Sequence, residues 1–122
     1  MKNLENPKTS LVIFGVTGDL AKRKLFPSIF KLFKNGKLSE EFTVVGVARR
    51  DWTNEVLREA VANSLPSGEE AALVDKFCSH FHYLPFDVTN KESYRDLDSL
   101  LGQLENDYNI PGNRIVYPFS DA

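Results

Sequence analysis

A glycine-rich turn between residues 11 and 24 holds the side chains and backbone spacing most suited to chemistry in this chain. The uncharged residues 11–14 lead directly into Gly15 and Gly18, and Ala21 follows at the same interval. Gly15 and Gly18 let the backbone turn tightly and approach a pyrophosphate, while Ala21 permits a helix to pack closely on a strand. The spacing G-x-x-G-x-x-A departs from the common G-x-G-x-x-G. The apolar run before it and the helical spacing after it nevertheless predict a phosphate-binding strand-turn-helix unit.

Charge and polarity around this turn favour an anionic ligand. Lys22, Arg23 and Lys24 stand in the first turns of the predicted helix, where the helix dipole ordinarily disfavours cations. A bound phosphate would reverse the sign of that interaction, which favours a phosphorylated ligand over a solvated basic turn. Thr17 offers an uncharged hydroxyl donor. Asp19 would repel a phosphate, and we expect it to pair with Arg23 and point away.

Two arginines follow the second predicted strand. Residues 42–48 are uncharged and rich in β-branched side chains, as a strand covered on both faces should be. NAD-selective sites usually place an acid after this strand, but Arg49 and Arg50 stand here. A guanidinium matches a phosphate by two parallel hydrogen bonds, so Arg49 is predicted to hold the 2′-phosphate of NADP, with Arg50 assisting or stacking on the adenine. The alternative is a pair of solvated arginines entering a turn, and the neighbouring Asp51 leaves some use of NAD open.

Together these segments closely resemble the amino-terminal part of glucose-6-phosphate dehydrogenases. The resemblance rests on G-x-x-G-D-L-A-x-x-K, on the following L-F-P-S and on V-G-V-A-R at residues 45–49, and it spans at least residues 11–50. It implies an enzyme of the oxidative pentose phosphate route that moves a hydride from C1 of glucose 6-phosphate to NADP. It also places Lys24 beside the cofactor and the sugar phosphate. The predicted cofactor-binding residues are Gly15, Val16, Thr17, Gly18, Asp19, Leu20, Ala21, Arg49 and Arg50.

Length limits what this chain is expected to do. Its 122 residues make about one domain, whereas a complete member of that family has a second, larger substrate domain. The family's catalytic histidine lies in a segment like R-I-D-H-Y-L-G-K, which does not occur here, so no catalytic residue is assigned. We therefore predict a single partial NAD(P)-binding domain over residues 1–122. It would bind NADP without turnover and meet glucose 6-phosphate only if a missing domain completed the site.

Two other functions stay open at this stage. A non-catalytic remnant or interaction module is one, because Pro118 should end strand pairing and leave an exposed sheet edge that favours self-association. The carboxyl end, residues 114–122, departs from the family, which suggests a truncated product, an early-terminated gene or an ending foreign to the family. A different Rossmann enzyme of reductase or epimerase type is less favoured, because no tyrosine here has a lysine four positions later.

Composition excludes several other classes. With 42% hydrophobic residues, 26% charged residues and a net charge of −2, the chain should form a folded domain without a basic face for nucleic acid. No apolar run approaches the ~20 residues that span a membrane, and the first five residues lack a signal-peptide core, so the cytosol is expected. His80 and His82 share a strand face but lack a third ligand, so we expect no metal. Cys78, between phenylalanines, should be buried.

The remaining patterns predict a Rossmann-like α/β fold, an incomplete parallel sheet of about four strands with helices on both faces. The expected order is β-α-β-α-α-β-α-β. Pro27 should kink the first helix or separate a short turn from a longer helix. The predicted strands cover residues 10–14, 42–48, 81–86 and 114 onward. The predicted helices cover 18–35 with Gly36 as stop, 53–65 with Val56, Leu57, Ala60, Val61 and Ser64 facing inward, 67–81 from the Ser67 capping box, and 89–106 from the Thr89 capping box.

Overall fold

The computed structural model of this chain describes residues 8–38, 42–110 and 114–118, with backbone alone at 117 and 118. Its strands are β1 (Ser10–Phe14), β2 (Thr43–Ala48), β3 (Phe81–Pro85) and β4 (Arg114–Pro118). Its helices are α1 (Phe26–Lys34), α2 (Asn54–Ser64), α3 (Ala71–Cys78) and α4 (Lys91–Tyr108), and a π-helical turn, Ala21–Leu25, precedes α1. The predicted order of elements is confirmed. The predictions about the first five residues and about the four after Pro118 lie outside the described residues.

The four strands form one parallel sheet in the order β3-β2-β1-β4. β1 lies between β2 and β4, with Val12 opposite Val45 and Phe14 opposite Pro118. Pairing of β4 therefore includes Pro118, the last residue of the strand. Because all four strands are parallel, their carboxyl ends meet at one edge, where ligands bind in sheets of this kind.

Helices cover both faces of the sheet, which confirms the predicted fold class. On one face α1, α2 and α3 enclose an aromatic core in which Phe77 lies 5.1 Å, centroid to centroid, from both Phe30 and Phe81. On the other face α4 packs Leu97, Leu101 and Leu104 against valines of β1 and β2. Burial on both sides explains why β1 and β2 carry no charge. Cys78 is buried as predicted.

The segment predicted as one helix over 18–35 divides at Pro27. The amide of Phe26 donates to the carbonyl of Ala21, five residues back, which defines the π-helical turn. Pro27 lies in the first turn of α1, where its missing N–H costs little. The second predicted alternative, a turn followed by a helix from Pro27, is therefore correct. Gly36 ends α1 with φ +72° while the amide of Lys37 donates to the carbonyl of Leu32 over 2.8 Å.

One helix start was predicted correctly and one inward-facing residue was not. Thr53 caps α2, since its hydroxyl oxygen accepts a hydrogen bond from the amide of Val56 over 3.2 Å. Leu57 and Val61 are fully buried on the inner stripe of α2. Val56 is 40% exposed, because it lies about 100° around the helix from Leu57.

Two capping boxes were placed wrongly. The one at Ser67 does not start a helix: Gly68 has φ +92° in a turn, and α3 begins at Ala71 and ends at Cys78. At α4 the cap is Asn90, whose side-chain oxygen accepts from the amide of Glu92 over 2.9 Å. Thr89 instead donates its hydroxyl to the Asp87 carboxylate over 2.8 Å. The Asp87 carboxylate thus accepts the hydrogen bond of the hydroxyl that the sequence pattern assigned to the helix cap.

Candidate cofactor-binding site

The glycine turn after β1 is tied to the end of β2. Gly15 has φ +76°, a conformation that favours glycine. The amides of Gly15 and Val16 both donate to the carbonyl of Val47, over 2.8 and 3.3 Å, and the amide of Gly18 donates to the carbonyl of Gly15 over 3.0 Å. These three amides are therefore occupied. The next amides open a helical turn, where backbone donors lack acceptors within the helix and are available to an anion.

The side chains of the turn divide between core and solvent. Val16 and Ala21 are buried in the core, at 0% and 1% exposure, so only their backbone could meet a ligand. The burial of Ala21 provides the close packing of helix on strand that its small size predicts. Leu20 is 40% exposed. Thr17 is half-buried and faces the cavity described next.

A cavity of about 430 Å³ lies at the carboxyl ends of β1 and β2. Four of the predicted site residues line it: Gly15, Thr17, Arg49 and Arg50. Phe14, Val47, Ala48, Phe86 and Val88 complete the wall. This strand-end cavity therefore joins the glycine turn after β1 to the arginines after β2, although Thr17 and Arg49 lie 32 positions apart in the sequence.

A second cavity of about 340 Å³ adjoins the first and shares Arg49 and Phe86 with it. Asp87 and Ser93 face this second cavity. Hydrogen bonds from the backbone and hydroxyl of Thr89 hold the pKa of Asp87 below its usual value, and the positive charge of Arg49 adds to that effect. The charges of Arg49 and Asp87 thus interact, and Arg49 remains exposed to solvent and ligands.

The three cations after the turn do not converge on the strand-end cavity. Arg23 pairs with Asp19 over 2.8 Å, as predicted. The ammonium of Lys22 lies 6.0 Å from the ring centroid of Trp52, and both cations face a separate cavity of about 720 Å³ beside α2. Lys24 is exposed and lines none of these three cavities. Lys22 and Arg23 therefore have local partners, and their charges give no support to a bound anion at the glycine turn.

The two histidines have structural surroundings. The ring of His80 stacks on Phe42 with centroids 4.1 Å apart, and its Nδ1 lies 2.8 Å from the carbonyl oxygen of Phe42. His82 packs edge-on against Tyr108. Within residues 8–38, 42–110 and 114–118, no three His, Cys, Asp or Glu side chains lie close enough together to hold a metal ion.

Tyr83 was not predicted from the sequence as part of the site. It contacts the backbone of the turn that carries Arg49 and Arg50. Its hydroxyl lies 2.6 Å from the carbonyl oxygen of Arg50 and 3.1 Å from that of Ala48. The only sequence signal was an aromatic residue on an inward-facing position of β3. Nothing in that pattern indicates which backbone groups the hydroxyl meets.

Comparison with known proteins identifies this arrangement. The family model described as glucose-6-phosphate dehydrogenase, NAD binding domain, matches residues 12–119. The chain belongs to the glucose-6-phosphate dehydrogenase family. The resemblance read from the glycine turn and the arginines is therefore confirmed, and the chain is a nicotinamide-nucleotide-binding domain of this family.

Several glucose-6-phosphate dehydrogenases are similar to this chain. Glucose-6-phosphate 1-dehydrogenase of Bacillus subtilis is 56% identical over 117 residues, 96% of this chain and 24% of the relative. That of Streptococcus pneumoniae is 40% identical over 111 residues, 90% of this chain and 22% of the relative. A solved glucose-6-phosphate dehydrogenase in complex with glucose 6-phosphate superimposes with a TM-score of 0.84 at 31% identity, covering 92% of this chain and 24% of the other.

This chain spans about a quarter of the length of the family members that it matches. Among the described residues, no helix combines the length and the apolar character needed to cross a lipid bilayer. The expected cytosolic location stays a prediction.

Proposed function

We propose that this chain binds NADP in preference to NAD at the strand-end cavity, as the cofactor-binding part of an enzyme that oxidises glucose 6-phosphate to its lactone. The observation that carries the proposal is the position of Arg49. It lies at the carboxyl end of β2, lines the cavity together with the glycine turn and is exposed. At this place in the fold an acid would select NAD and an arginine accommodates a 2′-phosphate.

The glycine turn would hold the pyrophosphate. Since the amides of Gly15, Val16 and Gly18 are occupied, the donors would be the amides of Asp19 and Leu20 and the hydroxyl of Thr17. The Asp19 carboxylate is engaged by Arg23 and does not line the strand-end cavity, so it need not repel the ligand. When bound, the cofactor supplies the hydride acceptor, and the residues here orient it.

Substrate chemistry would need more than these residues. We propose that Lys24 approaches the sugar phosphate when the remainder of a complete family member adjoins this domain. Its exposure and its place on the π-helical turn beside the glycine turn support that role. Residues 1–122 would then form one partial domain without a catalytic residue of their own, which binds NADP and leaves glucose 6-phosphate unchanged.

Calorimetric titration of the purified chain with NADP and with NAD tests the proposal. Arg49→Ala should raise the Kd for NADP by at least about tenfold and change the Kd for NAD by less than about twofold, because a charge-assisted hydrogen bond contributes about 1.5–3 kcal/mol. Arg95→Ala is the matched control, since it removes the same charge from an exposed side chain of α4 that lines none of the three cavities. Equal losses for both cofactors, or for both variants, would contradict selection by Arg49.

The alternative of an interaction module rests on a different observation. Ile115 and Val116 of β4, the outer strand of the described sheet beside β1, are 47% and 52% exposed. A folded chain that fails to bind NADP but pairs with another chain along β4 would favour this alternative.

A further inference from the structure

Tyr83 contacts the turn that carries Arg49 and Arg50. It belongs to β3, opposite Gly46 of β2, and is 6% exposed. Its hydroxyl has one hydrogen to donate, and the nearer acceptor is the carbonyl of Arg50 at 2.6 Å, with the carbonyl of Ala48 at 3.1 Å. Ala48 and Arg50 flank Arg49 on either side. One side chain from a neighbouring strand therefore contacts the backbone immediately before and immediately after the proposed phosphate ligand.

Two further contacts connect Tyr83 to the rest of the same loop. Its backbone amide donates to the side-chain oxygen of Asn54 over 2.7 Å, at the start of α2. Its ring lies 5.9 Å, centroid to centroid, from that of Trp52. The loop between β2 and α2 is thus held against Tyr83 at its beginning, its middle and its end.

The hydroxyl is suited to this contact at neutral pH. Burial raises the pKa of Tyr83 to about 12, with a further increase from the Asp51 charge and an opposing effect from Arg50. The group therefore stays protonated and remains a donor. Ala48, by contrast, has another partner, because its carbonyl also accepts from the amide of Phe86 over 2.8 Å. The bond to Arg50 is the one that Tyr83 supplies to the turn itself.

We propose that Tyr83 is a positioning residue for cofactor selectivity: its hydroxyl fixes the backbone around Arg49 so that the guanidinium meets the 2′-phosphate of NADP. The inference rests on the proposed function. Two parallel hydrogen bonds between a guanidinium and a phosphate require a defined geometry. A turn that is already ordered before binding loses less conformational entropy when the ligand arrives. NAD lacks the 2′-phosphate, so the affinity for NAD should depend little on whether this turn is ordered.

Calorimetry with Tyr83→Phe tests the inference, since this substitution keeps the ring and removes the hydroxyl. The Kd for NADP should rise about tenfold, equivalent to about 1.4 kcal/mol, and the Kd for NAD should change by less than about twofold. The matched control is Tyr108→Phe, a tyrosine of α4 that packs on His80 and His82 away from the cavity. It should leave both constants unchanged.

A double-mutant cycle with Arg49→Ala separates positioning from a general loss of stability. If Tyr83 acts through Arg49, Tyr83→Phe should have almost no further effect on the Kd for NADP once Arg49 is alanine. Amide hydrogen exchange should become faster across residues 49–53 and stay unchanged in β1. These results together would support the role.

Other results would overturn it. Unchanged NADP affinity of Tyr83→Phe, parallel losses for NADP and NAD, or additive effects in the cycle would each exclude positioning through Arg49 while leaving the proposed function intact. A wild-type chain without saturable NADP binding would overturn the proposed function and the selectivity role of Tyr83 with it.

Discussion

Val16 occupies the space that a side chain at position 46 would need. A Cβ built on Gly46 would lie 2.7 Å from Cγ2 of Val16 and 2.9 Å from its Cβ. Val16 cannot rotate away from this contact, because its own Cβ, fixed to the backbone, is part of it. The absence of a side chain at Gly46 therefore allows the glycine turn after β1 to lie directly on β2.

Gly46→Ala should destabilise the chain by about 1–3 kcal/mol, because an added methyl group forces Val16 and its backbone to shift in a packed core. Urea unfolding followed by circular dichroism would measure this change. The control is Gly102→Ala in α4, where nothing lies within 4 Å of an added Cβ. That variant should be more stable by about 0.5–1 kcal/mol, since alanine favours a helix interior over glycine. Destabilisation of similar size in both would contradict the packing argument.

Acid should destabilise the fold through His82. Burial, with the Arg58 and His80 charges, lowers the pKa of His82 to about 4 from 6.5, and its Nε2 has no hydrogen-bond partner among the described residues. The unfolded chain then binds the proton first, so stability is full above pH 6.5 and falls as the pH drops towards 4. We expect a loss of about 1–2 kcal/mol after allowing for partial solvent exposure.

His82→Gln removes this titration and serves as the comparison for the acid effect. The difference in unfolding free energy between pH 7.5 and pH 4.5 should be smaller in His82→Gln than in the wild type. Urea unfolding at both pH values would measure it. An equal pH dependence in the two proteins would assign the acid sensitivity to other groups.

Arg114 should hold β4 to α4. Its guanidinium donates to both carboxylate oxygens of Glu105, over 2.6 and 3.0 Å, and to Asp98 over 3.0 Å. These bonds raise the pKa of Arg114 above its ordinary value. Arg114→Ala should lower stability by about 1 kcal/mol, since a bidentate pair with a mostly buried carboxylate exceeds an isolated surface pair.

Thermal unfolding would compare this variant with Arg23→Ala. The pair between Arg23 and Asp19 joins side chains that are 68% and 74% exposed, so its removal should change stability by less than about 0.5 kcal/mol. If the two variants lost the same stability, the pair between Arg114 and Glu105 would contribute no more than an exposed surface pair.

The edge formed by β4 should promote self-association of the chain. Ile115 and Val116 are exposed, and β4 pairs with β1 on one side only in the described sheet. In sedimentation velocity, the weight-average sedimentation coefficient should rise with protein concentration. Val116→Lys should make this rise smaller, because a charged edge opposes strand pairing. A chain that stays monomeric at all concentrations would show that this edge is protected.

Local patterns sufficed where a residue's immediate neighbours decide its role. The uncharged strands β1 and β2, the Gly36 stop and the start of a helix near residue 53 were all predictable, because backbone geometry and burial on both faces restrict the residue types at these positions. The same reasoning failed at Ser67 and Thr89. A capping box is only a local pattern, and a glycine turn at Gly68 and the carboxylate of Asp87 decided those two segments instead.

The sequence by itself determined the family, the order of elements and the two segments that line the candidate site, since these depend on residue types at fixed spacing. Only the tertiary structure decided which groups share one cavity. It brought Thr17 and Arg49 together, turned Lys22 towards Trp52, and placed the Tyr83 hydroxyl under the Arg50 carbonyl. Such contacts join residues on different strands, and their geometry follows from sheet register and packing, which spacing along the chain does not encode.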